Sequence, residues 1–227
     1  MSCGRGFVAA SAGVASPARD AQLLRLEPVD TGSFAFRFAN SGEAARVRVA
    51  VACRRSSGRG PVLRQTRIER GLVVPAAGFA SARLSCPRQT TAAGSGVDLA
   101  GGAATLRRRV ASFDGFAFTL RNDMQKPQRV DVYGNCLTAV SAAGAAVEPL
   151  RVEITSFTDL IAPGSQEVRH VCRKGWISLG TGYKLGRPAL DVRGGIAVGS
   201  TGRWRVQNAS STDATAVLQL TCAKLGR

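Results

Sequence analysis

Six cysteines set one interval three times: Cys3 to Cys53, Cys86 to Cys136 and Cys172 to Cys222 are each 50 residues apart. A chain with that pattern is one unit repeated, with a period of roughly 85 residues. Units of that size bury a modest share of their surface, so a covalent staple in each is physically useful. Closing a loop of this length contributes on the order of 4 kcal/mol in the chain-entropy picture. No two cysteines lie two to four residues apart and the chain holds a single histidine, so the even count reads as three disulfides rather than a zinc site. Disulfides in turn predict an oxidising final location.

The segment from residue 1 to 20 contains no sustained apolar core of the kind an export signal needs, and no stretch is apolar enough to span a membrane. Two routes to an oxidising location fit. The chain is the mature part of a secreted protein, or it leaves its cell by lysis inside a virus particle.

Aligning the three units on their first cysteines brings further residues into register. Gly94-Ser95-Gly96 and Gly180-Thr181-Gly182 fall at one offset, with Ser11-Ala12-Gly13 at the same place in the first unit. Val8 and Ala10, Thr91 and Ala93, and Ile177 and Leu179 precede or flank them with the period of two that puts side chains on one strand face. Glycines in such a strand mark a bulge or a close backbone approach. They do not form a phosphate cradle, since no helical pattern follows and the dinucleotide spacing is absent.

Later in each unit Phe36-Arg37-Phe38-Ala39-Asn40, Phe118-Thr119-Leu120-Arg121-Asn122 and Trp204-Arg205-Val206-Gln207-Asn208 repeat an aromatic, apolar, Asn frame. Each Asn stands where a turn begins, with a side chain suited to binding nearby backbone. A strand ending in cysteine follows: Val47, Val49 and Val51 before Cys53, Val130, Val132 and Gly134 before Cys136, Ala216, Leu218 and Leu220 before Cys222. These alternate inward, while Arg46, Arg48, Arg129, Asp131, Gln219 and Thr221 are expected on the outer face.

The intervals 54–85 and 137–171 also match, each reading as a lead-in hairpin to the next unit through Ile68, Val73 and Val74 then Ala80, Ala82 and Leu84, and through Leu150, Val152 and Ile154 then Gln166, Val168 and His170. About six or seven short strands per unit with almost no helical periodicity predict an all-β chain of three tandem Ig-like antiparallel β-sandwich modules, each with one internal disulfide. The expected modules are 1–55, 62–138 and 147–227. The first has no lead-in hairpin, and another chain supplying those strands is one of two explanations, the other being that they are dispensable.

The run Ile161 to Tyr183 with Cys172 and Gly180-Thr181-Gly182, then Trp204 and Asn208, then Leu218-Gln219-Leu220-Thr221-Cys222, resembles a type of β repeat. Its pattern is Cys-Pro-x-Gly, then Gly-Gly-Gly, then Trp and Asn, then Cys. Such repeats occur in secreted or surface proteins of actinobacteria and similar bacteria, and in phage structural proteins. The resemblance spans nearly the whole chain in three copies. It implies cysteines paired within each repeat and a non-enzymatic role, and supplies no catalytic residue. The chain departs from it in having Gly-Ser-Gly and Gly-Thr-Gly for the triple glycine, and no Pro after Cys3 or Cys172.

The net charge is +16, and only four of the 31 basic residues are lysine. Polyanions are the natural partners of such a surface. The candidate contacts are Arg54, Arg55, Arg59, Arg64, Arg67 and Arg70, which read as a flexible basic linker, and the run Arg107, Arg108 and Arg109. No recognition helix or aromatic binding sheet is evident, so sequence-specific nucleic-acid reading is not expected. His170 shares the offset of Leu84 and reads as a strand position facing a core or interface; no repeated carboxylate pair stands out. No cofactor, metal site or catalytic residue is expected. The sequence thus points to a structural protein of a virion or an extracellular location that joins other subunits or further copies of itself, with a secreted surface protein holding an anionic polymer or glycan as the alternative.

Overall fold

The structure, a computed structural model, describes residues 1–16, 21–42, 44, 46–55, 62–100, 104–141 and 150–224. These residues form sixteen β-strands and no helix, so none is long and apolar enough to cross a membrane. Four strands belong to the first repeat: β1 (Phe7–Ser16), β2 (Ala21–Asp30), β3 (Ser33–Asn40) and β4 (Arg48–Arg55). The second has six: β5 (Val62–Val74), β6 (Phe79–Ser85), β7 (Thr91–Asp98), β8 (Ala104–Ser112), β9 (Gly115–Asn122) and β10 (Gln128–Val140). The third matches it with β11 (Arg151–Ile161), β12 (Gly164–Val171), β13 (Ile177–Leu185), β14 (Leu190–Val198), β15 (Thr201–Asn208) and β16 (Ala214–Lys224).

All pairings are antiparallel, and in the two longer repeats they follow one plan. One layer is β5-β10-β7 or β11-β16-β13; the other is β6-β9-β8 or β12-β15-β14. The lead-in hairpin adds one edge strand to each layer. Disulfides Cys3–Cys53, Cys86–Cys136 and Cys172–Cys222 tie the start of each repeat to its last strand. The alternating apolar positions of those last strands turn inward as the period-two pattern requires: Val130 and Val132, and Ala216, Leu218 and Leu220, are buried among Phe118 and Leu120 or Trp204 and Val206.

The sheets do not stop at the repeat boundaries. β2 of the first repeat pairs with β7 of the second through Arg25↔Asp98 and Leu26↔Val97, giving a five-stranded sheet. β8 of the second pairs with β13 of the third through Tyr183↔Arg109 and Lys184↔Arg108, giving a six-stranded one. The third repeat then returns to the first, where β14 passes against β1. A Cβ added to Gly13 would stand 1.9 Å from the carbonyl oxygen of Gly195. Gly96 and Gly182, at the same offset, meet Leu26 O and Arg109 O with hypothetical Cβ distances of 1.9 and 2.5 Å. Three equivalent glycines therefore make three equivalent backbone crossings, and the repeats close around a pseudo-threefold axis. The glycine-marked strands carry bulges as well, with register breaks at Ala9/Ser11, Gly134/Cys136 and Ser178/Gly180.

Closure around an axis corrects two readings of the strand faces. Gln219 and Thr221, expected outside, are buried, because the outer face of β16 lies under the second repeat; Gln219 Oε1 accepts the Ala111 amide at 2.6 Å. The basic stretch before Ile68 is no linker from residue 62 onward: Val62 to Val74 pairs residue by residue with β10. Ala10, Ala93 and Leu179, at one offset, pack together with Leu137 and Ala223 in a core shared by all three repeats.

Candidate functional site

Among the described residues, the first repeat is the one in which both layers end without a lead-in strand. In the second and third repeats β10 and β16 are flanked on the outside by β5 and β11, over the whole length of β5 and of β11. The equivalent β4 pairs with β1 alone among the described residues. Likewise β9 and β15 lie between two strands, whereas β3 has β2 on one side and only a short stub on the other. That stub is Met1–Cys3: the Met1 ammonium donates to Phe34 O at 2.9 Å, Phe34 N to Met1 O at 2.9 Å and Cys3 N to Gly32 O at 2.7 Å. Cys86 N and Cys172 N make the matching bonds to Asp114 O and Ser200 O, both at 2.7 Å. The stub occupies the end of the β6 position, and from Phe36 onward the edge of β3 carries no strand among the described residues.

Burial records the consequence. Phe118 and Trp204 are 1% and 0% exposed, and Leu120 and Val206 are fully buried; their equivalents Phe36 and Phe38 are only half-buried. Val49 and Val51 are half-buried as well, although the same positions in the other repeats are sealed by the hairpins. The repeated Asn is buried in the two longer repeats and exposed in the first. Asn122 donates to Val74 O at 3.3 Å and Pro75 O at 3.1 Å in its lead-in hairpin, and to Lys126 O at 2.8 Å. Asn208 donates to Ile161 O at 2.9 Å and Thr212 O at 2.8 Å. Asn40 is exposed and exchanges bonds of 3.4 Å with Gly42. Beside β3 and β4, then, apolar positions are left half-buried that the other two repeats cover with a hairpin.

The arginines singled out from the sequence fall into different places. Arg54 reaches from β4 to Ser178 O at 2.9 Å, and burial holds its guanidinium below the ordinary arginine value. Arg67 pairs with buried Glu27 at 2.8 Å and stands over the Tyr133 ring at 4.9 Å, joining the first and second repeats. Arg107 donates to Leu190 O at 2.7 Å and also to the carbonyls of Pro188 and Arg187, fastening the β13–β14 turn to β8; burial lowers its pKa too. Arg108 is half-buried on the same strand, and Arg109 is buried on the axis. All three stand on an interior strand of the six-stranded sheet. Arg64 and Arg70 face solvent from β5, Arg55 stands on β4 opposite Phe7, and Arg59 lies outside the described residues. Sequence reasoning missed Arg25 and Arg37, which converge on Asp98 at 3.4 and 2.9 Å and close the first join.

His170 lies on the lead-in hairpin of the third repeat, on β12. Its ring stacks on Phe157 with centroids 3.7 Å apart, meets the edge of Trp204, and Nε2 is 3.0 Å from Asp159 Oδ2. No hydroxyl or thiol bonds to it among the described residues, so its geometry is that of a strand-to-strand clasp. No group of three His, Cys, Asp or Glu residues suited to a metal ion occurs among those residues either. Trp204 is core, with Nε1 donating to Gly182 O at 3.1 Å, and Trp176 is half-buried against the third core. Comparison with known proteins finds no matching family model and no curated relative.

Proposed function

We propose that this chain is a non-catalytic structural protein of a virion, of the tail, tail-tip or capsid-decorating kind, built from three Ig-like sandwich modules. It joins a neighbouring subunit by accepting a β-hairpin along β3 and β4. The observation that carries this reading is an asymmetry among the described residues: two repeats hold a hairpin in that groove, and in the first only Met1–Cys3 lies beside β3 and no second strand lies beside β4. Main-chain ladders supply affinity in such strand addition, and alternate side chains supply register. Covering Phe36, Phe38, Val49 and Val51 contributes about 1–2 kcal/mol for each side chain taken from half-exposed to buried. Three disulfides fit an extracellular or secreted location.

The test offers intact protein a synthetic hairpin of residues 62–85 or 150–171 and follows amide exchange. Binding is expected to protect Phe36 to Asn40 and Val49 to Val51, and size measurements across a concentration range are expected to show assembly. A compact monomer throughout, with no added protection on β3 and β4, overturns the reading.

One feature favours the alternative of a surface protein holding an anionic polymer or glycan. Arg169 and Arg203 are directly opposite each other on β12 and β15, both exposed, a like-charge pair that a polyanion would relieve. Heparin or polyphosphate binding that is lost in Arg203→Ser, without assembly, would select that alternative.

A further inference from the structure

The three joins bring equivalent residues to one axis, and there the repeats stop being alike. Leu26 on β2, Arg109 on β8 and Gly195 on β14 share one offset; Val14, Val97 and Tyr183 share another. The two large side chains and the missing third one leave a cavity of about 310 Å³, walled by all three repeats. Gly194 and Gly195 open one side of it. Leu23, Leu106 and Val192, again equivalent, form apolar wall.

Arg109 is 7% exposed. Its Nη1 reaches Ser95 O at a long 3.4 Å, its guanidinium carbon lies 5.6 Å from the Tyr183 ring centre, and its Nε has no hydrogen-bond partner. Nη2 is 3.8 Å from where a Gly195 Cβ would stand, on the open side. The acid of the cavity wall, Asp191, pairs with Arg193 at 2.8 Å, and no described carboxylate forms an ion pair with Arg109. Elsewhere at the joins the pattern is opposite, since Arg25 and Arg67 both meet Glu27. A guanidinium stays charged and carries five donors, and removing it from water without a counter-charge costs several kcal/mol. Burial depresses its pKa, and a guanidinium nevertheless remains a cation in proteins at neutral pH.

We propose that the axial cavity binds a small monocarboxylate with an apolar body, its carboxylate on the Arg109 guanidinium and its body against Leu26, Val97, Leu106 and Val192. The walls choose the class. Arg193 at the wall is already paired with Asp191, so Arg109 is the wall cation without a counter-charge among the described residues, which suits a single negative charge better than a phosphate dianion; about 310 Å³ with walls about half apolar is far more than a halide fills. Tyr183 adds a protonated hydroxyl at the same wall, donating to Leu106 O at 3.4 Å. The site does not depend on whether β3 and β4 accept a hairpin.

Thermal unfolding of the disulfide-intact chain tests it, with sodium hexanoate and benzoate as probes and hexanamide, benzamide, chloride and phosphate as controls. The carboxylates are expected to raise the midpoint saturably, as a ligand of the native state must, and the amides are not. Arg109→Met is expected to abolish the response. Gly195→Ala, whose Cβ makes only contacts of 3.4 to 3.8 Å with Thr181, Trp204 and Arg109, is expected to weaken the affinity at least about threefold, and it keeps the test open if Arg109→Met does not fold. Equal shifts from benzoate and benzamide, an undiminished response in Arg109→Met or Gly195→Ala, or no saturable shift at all overturns the proposal.

Discussion

Replacing the repeated Asn by Ala, one repeat at a time, measures how far each repeat is closed by its hairpin. In Asn122→Ala the chain loses bonds to Val74 O, Pro75 O and Lys126 O and from the Met124 amide. The Val74 bond is buried and the other three are partly so. A buried acceptor left without a partner costs about 1–3 kcal/mol, and partly solvated ones about 0.5 kcal/mol each, so the loss is about 3 kcal/mol. Asn208→Ala removes the buried bond to Ile161 O and partly buried bonds to Thr212 O and from Ser210, for a similar total. Asn40 is exposed and its 3.4 Å bonds with Gly42 are readily replaced by water, so the expected cost of Asn40→Ala is smaller than that of the other two. Thermal unfolding with the disulfides intact reads all three, and a chain of this size shifts its midpoint about 2–4 °C per kcal/mol. A hairpin bound along β3 should raise the cost of Asn40→Ala toward that of the other two. If Asn40→Ala is as damaging as Asn122→Ala in the isolated protein, the first repeat is already closed and the assembly reading fails.

Cys3 and Cys53 are both half-buried, whereas Cys136, Cys172 and Cys222 are buried, so mild reductant is expected to open Cys3–Cys53 first; mass measurement of alkylated peptides follows the order. Burial pushes both tyrosines of the chain, Tyr133 and Tyr183, from 10.0 up to about 12, so the native protein is expected to show almost no tyrosinate absorbance as pH passes 10. The unfolded chain gives up those protons first, hence stability is fully present below pH 10 and falls between pH 10 and 12, by at most about 1.4 kcal/mol per pH unit for each tyrosine. Gly13→Ala, Gly96→Ala and Gly182→Ala each force a methyl against a crossing carbonyl and are expected to cost about 1–3 kcal/mol. Gly13→Ala is the informative one, because among the described residues no strand ladder holds the third join, and a neutral result there would mean the repeats do not close on themselves.

Alignment on the cysteines made much of this legible. It placed the crossing glycines, the Asn clamps and the ends of the disulfide strands, because each obeys a rule local to its repeat. What it hid were relations between repeats. Arg107 to Arg109 look like a solvated run, and only the pairing of β8 with β13 turns them inward. Gln219 and Thr221 have the polarity of an outer face, and lie on one that another repeat covers. Arg64, Arg67 and Arg70 made the start of β5 read as a linker; Ile68, Val73 and Val74 marked the strand, and of these Val74 is buried, Ile68 packs against the second core and Val73 is exposed. The axial cavity had a readable trace of its own. Leu26, Arg109 and Gly195 differ at a position where aligned repeats would be expected to agree.

That difference is what one chain can do and a trimer of identical chains cannot. An arginine at the Arg109 position in three identical subunits would set three cations against one another on the axis, without carboxylates to separate them. Like charges at that spacing, out of water, would open the ring or lose their protons. Writing the repeat three times in one chain lets the axis hold one cation, one leucine and one gap.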